Sequence, residues 1–305
     1  MNKAAIASLI GLLFSSCSVA EEINIQTDDV IVTATRFEHK DTETTYASEL
    51  YTREMIEASG ATTLYDYLSQ HTSVNILPSF GNKAAPLIDM RGYGTSNGNQ
   101  NIVITLDGQR LNNIDLSPQL IGAIPLGIID RIEITKGSGS VLFGDGATAG
   151  SIQIYTKPRT GVSVSASAGN FGQLSGFLNA GTSQEYFDLS ISAAHDSNDG
   201  FSKKDITGEK DGSDNNAQHV QLKLKPLENL RFNLEGTSAR IDSRYVGALT
   251  LAEFKADPRQ NGGNEYNHQK LKADVWRIGS EFDITPKLKI SANHARENKT
   301  SDFIS

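Results

Sequence analysis

From Gly161 onward, apolar and polar residues alternate with a period of two. Val162, Val164, Ala166 and Ala168 are separated by Ser163, Ser165 and Ser167, and Phe187, Leu189, Ile191 and Ala193 by Asp188, Ser190 and Ser192. Val220, Leu222 and Leu224, then Leu230, Phe232 and Leu234, repeat the pattern; a fainter version runs from Leu174 to Ala180. Two more strands fit around Trp276–Ile284 and Leu288–His294. Successive side chains of a strand point to opposite faces, so each segment reads as a strand with one apolar and one polar face. That suits a soluble sheet as well as a membrane wall with lipid on one side and water on the other. The connections separate the two. Segments 182–185, 226–229 and 285–287 are short turns, whereas 196–216 and 241–269 are long, polar and rich in Gly, Asp and Asn. Short turns alternating with long loops along a meander describe an antiparallel transmembrane β-barrel.

The upstream half has a different texture. Glu49–Thr52 leads into a short helix over Arg53–Ala58, closed by Ser59-Gly60. Thr63 and Asp66 form a capping-box-like pair for a second helix, in which Leu64 and Leu68 share a face. Strands are expected at Val74–Leu77, stopping at Pro78, at Ile88–Arg91, Ile102–Leu106, Ile128–Thr135 and Ser151–Thr156, with a turn at Asp107-Gly108. Short helices among strands of a small mixed sheet make an α+β globule over residues 45–157. Between positions 21 and 44 the chain is polar except at Val30-Ile31-Val32, and reads as a flexible arm. On its residues alone, that patch is either an edge strand of this protein or a free strand able to add to a partner's sheet.

Targeting and composition narrow the classes. Lys3, the apolar run Ala4–Phe14 and Ser18-Val19-Ala20 have the layout of a secretory signal over residues 1–20. The only cysteine, Cys17, falls inside it, so no disulfide is expected in the mature protein. The longest later apolar run, Leu120–Ile129, is broken by Gly122, Pro125 and Gly127, which leaves strands as the means of crossing a membrane. A net charge of −8 without basic clusters argues against nucleic acid as a partner. The glycines at 137, 139, 144, 146 and 150 do not make a phosphate loop, because Asp145 follows Gly144 where Lys is required. Tight turns are the better reading. Asp196, Asp199, Asp211 and Asp214 are weak candidates for calcium, in no EF-hand spacing, and otherwise read as part of a solvated loop. The histidines show no metal-ligand spacing, no cofactor is expected, and no nucleophile–base constellation suggests an enzyme.

The segments IDMRGYG, IVITLDGQRLN and IDRIEITKGSGSVLFGDGATAGSIQIYTK, between Ile88 and Lys157, follow one another in fixed order. They resemble the plug domain of TonB-dependent outer-membrane receptors, and the upstream DDVIVTATR is similar to that family's TonB box. GSGSVLFG and Ser151-Ile152-Gln153-Ile154 depart slightly from the usual plug pattern while keeping its turn character. The resemblance implies that Asp29, Val30, Ile31, Val32, Thr33 and Ala34 pair with TonB, which is driven by its inner-membrane energising complex. It implies that Arg91 and Arg131 match arginines that pair with barrel glutamates, although either could be a solvated surface residue. It places ligand contacts on plug apices at Ser79, Phe80, Gly81 and Asn82 and at Tyr93, Thr95, Ser96 and Asn97. The implied partners are outer-membrane lipid and a metal chelate or similar large solute (iron-siderophore, haem or cobalamin), in a Gram-negative bacterium.

One difficulty arises from counting. Residues 161–305 supply about seven strands, whereas plugged barrels have about 22, and an open sheet edge is not tolerated in lipid. The chain is therefore expected to be the amino-terminal part of a longer receptor or a truncated product. The alternative is a periplasmic binding or interaction protein with a plug-like domain that engages TonB without a pore.

Overall fold

The computed structural model describes residues 31–32, 39–40, 47–79, 82–93, 101–111, 120–137, 144–262, 268–285 and 288–304. Near the amino terminus, β1 (Ile31–Val32) pairs antiparallel with β2 (His39–Lys40). Residues 49–52, expected to lead into a helix, belong to a strand of their own, β3 (Ala47–Thr52). Thr52 then turns the chain into α1 (Arg53–Ala58), its side chain accepting the Met55 N–H. Gly60, with φ +72°, takes the left-handed position that ends the helix. Thr63 caps α2 (Leu64–His71) by accepting the Asp66 N–H at 3.1 Å, and the Leu64–Leu68 face is buried.

A hairpin follows, β4 (Asn75–Ser79) with β5 (Asn82–Asp89). β4 continues through Pro78, where it was expected to stop. The pairing slips between Leu77 and Ser79, so the missing proline N–H falls at a bulge. β5 in turn ends before Arg91, which adopts φ +59°, followed by Gly92 at +76°, so the chain turns where a strand was expected. β6 (Ile102–Leu106) and β7 (Gln109–Arg110) are joined by Asp107 and Gly108, both at positive φ, as a tight Asp-Gly hairpin requires. β8 (Ile129–Lys136) and β9 (Gly150–Thr156) complete a five-stranded sheet in the order β3-β8-β9-β6-β7, with β6 and β9 parallel. β6 is buried along its whole length, as a parallel strand covered on both faces should be. Ile104, Ile132, Ile134, Ile152 and Ile154 form the core with Leu64, Tyr67 and Leu68.

Glu49 fastens β3 to this unit. Its carboxylate accepts hydrogen bonds from Lys136 Nζ and Ser73 Oγ, both at 2.6 Å, and from Tyr51 at 2.8 Å. Burial pushes the Glu49 carboxyl up, but the bonds from Lys136, Ser73 and Tyr51 outweigh it and hold the group below its ordinary 4.5. A depressed carboxylate contributes stability above the unfolded pKa and loses it as pH falls through the folded value. The midpoint of thermal unfolding is therefore expected to drop below pH 4.5, and Glu49→Gln should flatten that part of the pH profile.

The second half is a meander of seven antiparallel strands in chain order: β10 (Gly161–Ala168), β11 (Leu174–Ser183), β12 (Phe187–Asn198), β13 (Ser213–Leu227), β14 (Leu230–Arg244), β15 (His268–Thr285) and β16 (Leu288–Ile304). Connections 184–186, 228–229 and 286–287 lie at one end of the sheet. At the other end lie 169–173, 199–212 and 245–267, the last carrying α3 (Leu251–Ala256). Several strands outrun the alternating segments that announce them. Beyond a membrane's apolar band neither face need be apolar, so the period of two fades while pairing continues.

Burial along this sheet is inverted relative to a soluble protein. On β12, Ser190 and Ser192 are 4% and 2% exposed, while Ile191 between them is 55% exposed. Val162, Val164, Leu178, Leu234 and Ile278 stand outward in the same way, while Asn179, His219 and Gln221 are covered. Polar residues inside and an apolar band outside are what a wall between lipid and a wet lumen requires. Tyr186, Phe232 and Phe282 sit exposed near the short-turn end, where an interfacial aromatic girdle belongs.

Candidate plug and wall interface

The α+β unit packs on the covered, largely polar face of the seven-stranded sheet. One apolar patch interrupts that face, where Ala217, Ala239 and Ala273 lie abreast on β13, β14 and β15 beside Ile241 and Leu271. The single-turn helix Leu120–Ala123 docks on β13 and β14, with Ile121 fully buried. On β11, Phe177 packs against the hydrophobic core of the α+β unit. Gly127 makes room for it, since a Cβ there would overlap the Phe177 ring.

Two arginines tie the units together. Arg277 on β15 and Glu235 on β14 are register partners and form an ion pair. From the wall, the Arg277 guanidinium reaches the Asp107 turn, donating to the Leu106 carbonyl oxygen at 2.6 Å and lying 3.3 Å from the Asp107 carboxylate. Asp107 is held ready by Thr156, which donates its N–H and its hydroxyl to the carboxylate, each at 2.8 Å. Gln221 on β13 adds a bond to the Thr156 hydroxyl at 3.1 Å. The second arginine, Arg159, lies in the link between the units. It pairs with Glu57 of α1 and donates to the Gly127 carbonyl oxygen at 2.9 Å. Arg53 lies alongside, 3.3 Å from Asp130; burial and the nearby Arg159 charge draw its pKa below the ordinary arginine value.

At the long-loop end, Phe171 of the 169–173 turn meets Phe201 edge to face, with ring centroids 5.2 Å apart. Arg259 sits 5.2 Å from the Phe201 ring and donates to the Phe201 carbonyl oxygen at 2.9 Å. Lys203 pairs with Asp257, and its N–H donates to the Arg259 carbonyl oxygen at 2.7 Å. These contacts join the three connections at this end of the sheet in one cluster.

The plug-domain model of TonB-dependent receptors matches residues 40–151. The vitamin B12 transporter BtuB of Vibrio vulnificus is 30% identical over 300 residues, 93% of this chain and 45% of the relative. BtuB of Vibrio cholerae is 29% identical over 217 residues, 70% of this chain and 35% of the relative. The chain carries the plug domain of TonB-dependent receptors. It spans less than half the length of these curated relatives. Among solved structures, the ferric yersiniabactin uptake receptor FyuA of Yersinia pestis superposes with a TM-score of 0.68 at 16% identity, covering 85% of this chain and 42% of that one. The siderophore receptor PiuA of Acinetobacter baumannii gives 0.70 at 17% identity, covering 87% and 38%. These two likenesses speak for the fold: a receptor plug followed by wall strands.

Of the residues singled out in the sequence, Ile31 and Val32 form β1; Asp29, Val30, Thr33 and Ala34 lie outside the described residues. Ser79 and Asn82 pair across the tip of the β4–β5 hairpin, and Tyr93 is exposed, while Phe80, Gly81, Thr95, Ser96 and Asn97 lie outside the described residues. The four candidate calcium ligands do not converge. Asp196 accepts from Ser175, Asp211 from the Ser202 N–H, and Asp214 from Asn216, while Asp199 abuts Gly172. Asp196 and Asp214 belong to β12 and β13 rather than to a loop. Among the described residues no three His, Cys, Asp or Glu side chains gather to hold a metal. Arg131 pairs with Glu133 at 2.8 Å and with Asp130 at 3.8 Å, and its guanidinium lies 3.9 Å from the centre of the Tyr155 ring, all within the plug. Arg91 is exposed, its guanidinium beside Gly137. Among the described residues, the ion pair between plug and wall is Asp107 with Arg277. Sequence reading passed over Arg277 and Glu235. Their signal, opposite charges on the inward phase of neighbouring strands, becomes visible only once register is known across the 245–267 connection.

Proposed function

We propose that this chain supplies the plug and seven wall strands of a TonB-dependent outer-membrane transporter, exported by its signal and taking up a scarce large solute of the iron-siderophore, haem or cobalamin kind. The inverted burial of the wall, apolar outside and polar against a seated plug, is the observation that carries this reading. Cobalamin is the first solute to test, because the curated relatives are named vitamin B12 transporters. The hairpin tip at Ser79–Asn82, Tyr93 and the Phe171–Phe201–Arg259 cluster are offered as the outer contact surface. Residues 29–34 are offered as the TonB box, recruited by strand addition to TonB.

The test is accumulation of radiolabelled vitamin B12, and of a panel of ferric siderophores, by cells expressing the protein, with fractionation alongside. Energy-dependent uptake with recovery in the outer-membrane fraction supports the reading. A soluble periplasmic species without uptake overturns it in favour of a binding protein. Val32→Pro deletes a backbone N–H from the box and is expected to abolish uptake while leaving binding of solute to intact cells unchanged.

A further inference from the structure

We infer that the solute path opens on the β10–β12 side of the plug, along a cleft already present between plug and wall. The inference rests on the transporter reading above. The cleft holds a cavity of about 810 Å³. Arg53, Glu57 and Arg159 line it toward the short-turn end, and Phe171, Phe201 and Asp211 toward the long loops. It therefore runs much of the way between the two ends of the wall. Its wall side is built from the polar phase of β10, namely Ser163, Ser165 and Ser167, continued by Ser175 and Asp196. Thr62, Asp66 and Lys83 face them from the plug. Apolar side chains such as Ile124, Leu126 and Phe177 complete the lining, and a mixed cavity of this size is comparable with sites that hold sizeable ligands.

The side of the plug that faces β13–β15 is built differently. There the Arg277–Glu235–Asp107 cluster and the Gln221–Thr156 bond cross the interface, and the cavity beside Leu106, Glu235 and Arg277 is only about 40 Å³. Opening on that side must part an ion cluster and strand its charges away from water. On the cleft side, the described charged contact between plug and link is Arg159 with Glu57, at the short-turn mouth, where solvent can compensate the separated pair. A pulled plug therefore has a side that stays anchored and a side that gives way. Arg159–Glu57 is the closure of the path and Arg277–Asp107 its pivot.

Because the single cysteine, Cys17, lies in the signal segment, reporter cysteines can be placed singly. The Ser163 hydroxyl is buried against the cleft, and Thr237 lines the small cavity on the anchored side. Ser163→Cys and Thr237→Cys would each be reacted with a charged, membrane-impermeant maleimide on intact cells with and without TonB. Labelling of Ser163→Cys is expected to rise several-fold with TonB and that of Thr237→Cys to stay level. Ser165→Cys, one pleat further along the same face, repeats the measurement should Ser163→Cys fold poorly. A TonB-dependent rise at Thr237→Cys instead, or at neither side, overturns the inference. Vitamin B12 and ferric-siderophore uptake measured on the same cells keeps the two claims apart. Labelling without uptake sinks the solute reading and leaves the opening side standing; uptake with labelling on the wrong side does the reverse.

Discussion

Arg277→Met is expected to loosen the plug from the wall. The side chains involved are mostly screened from solvent, with Arg277 15%, Glu235 12% and Asp107 19% exposed. Methionine keeps much of the volume but removes the guanidinium, leaving two carboxylates facing each other across the interface. The Leu106 carbonyl oxygen loses its donor as well. Removing one partner of a screened ion cluster costs on the order of 3–5 kcal/mol, far more than the pair's net worth, because the remaining charges stay behind without compensation. With a urea slope of roughly 1–3 kcal/mol per molar, plug release followed by protease sensitivity should move down by at least about 1 M. Adding Glu235→Gln should recover part of the loss, since one of the stranded charges goes with it. A double substitution as costly as the sum of the singles would show that the three side chains do not act as a unit. Arg240, paired with Asp274 at 2.9 Å but about 40% exposed on both sides, is the control, and Arg240→Met should change little.

The contrast between these two arginines shows what the chain discloses unaided. Strand identity in the second half is legible because each strand separates an apolar phase from a polar one, and the alternation survives without knowledge of partners. Connection lengths then order the strands into a meander, since short turns leave neighbours no choice. What alternation conceals is where a strand stops. The stretches 194–198 and 213–216 are polar on both faces and look like loop, yet they pair residue for residue, His195 with Asn216 and Asn198 with Ser213. In the plug, helix caps and the Asp-Gly turn are local signals and appear where expected. β3 is not local. Ala47–Thr52 becomes a strand because β8 offers an edge, with Glu49 opposite Ile134 and Tyr51 opposite Ile132. The candidate site divides in the same way. The Asp107 turn could be read from its dipeptide, but Arg277 lies 170 residues away, and only register brings the two together.

Gly150→Ala is expected to damage the plug itself. Gly150 begins β9 at φ +154°, is fully covered, and stands opposite Lys136 on β8 and Ile102 on β6. A methyl group there would overlap the Thr135 carbonyl oxygen and sit 2.5 Å from the Met90 sulfur. The methionine can swing aside. The carbonyl cannot, because it belongs to the backbone of a strand paired on both sides, with Ser48 on β3 and Ser151 on β9. Overpacking of this kind costs about 1–3 kcal/mol, and forcing a β-carbon into a sparsely populated backbone region adds about 1–3 kcal/mol. Gly108 separates the two contributions. At φ +80° it has the backbone requirement with nothing within 4 Å of an added methyl, so Gly108→Ala should show the strain alone. Thermal unfolding of both variants decides the matter. If Gly150→Ala unfolds at the same temperature as Gly108→Ala, the crowding at the β8–β9 junction is relieved by a small shift of β9, and the sheet is less tightly fixed than its pairing implies. A markedly lower midpoint for Gly150→Ala would mean that the absent side chain at this position lets three strands close over the plug core at once.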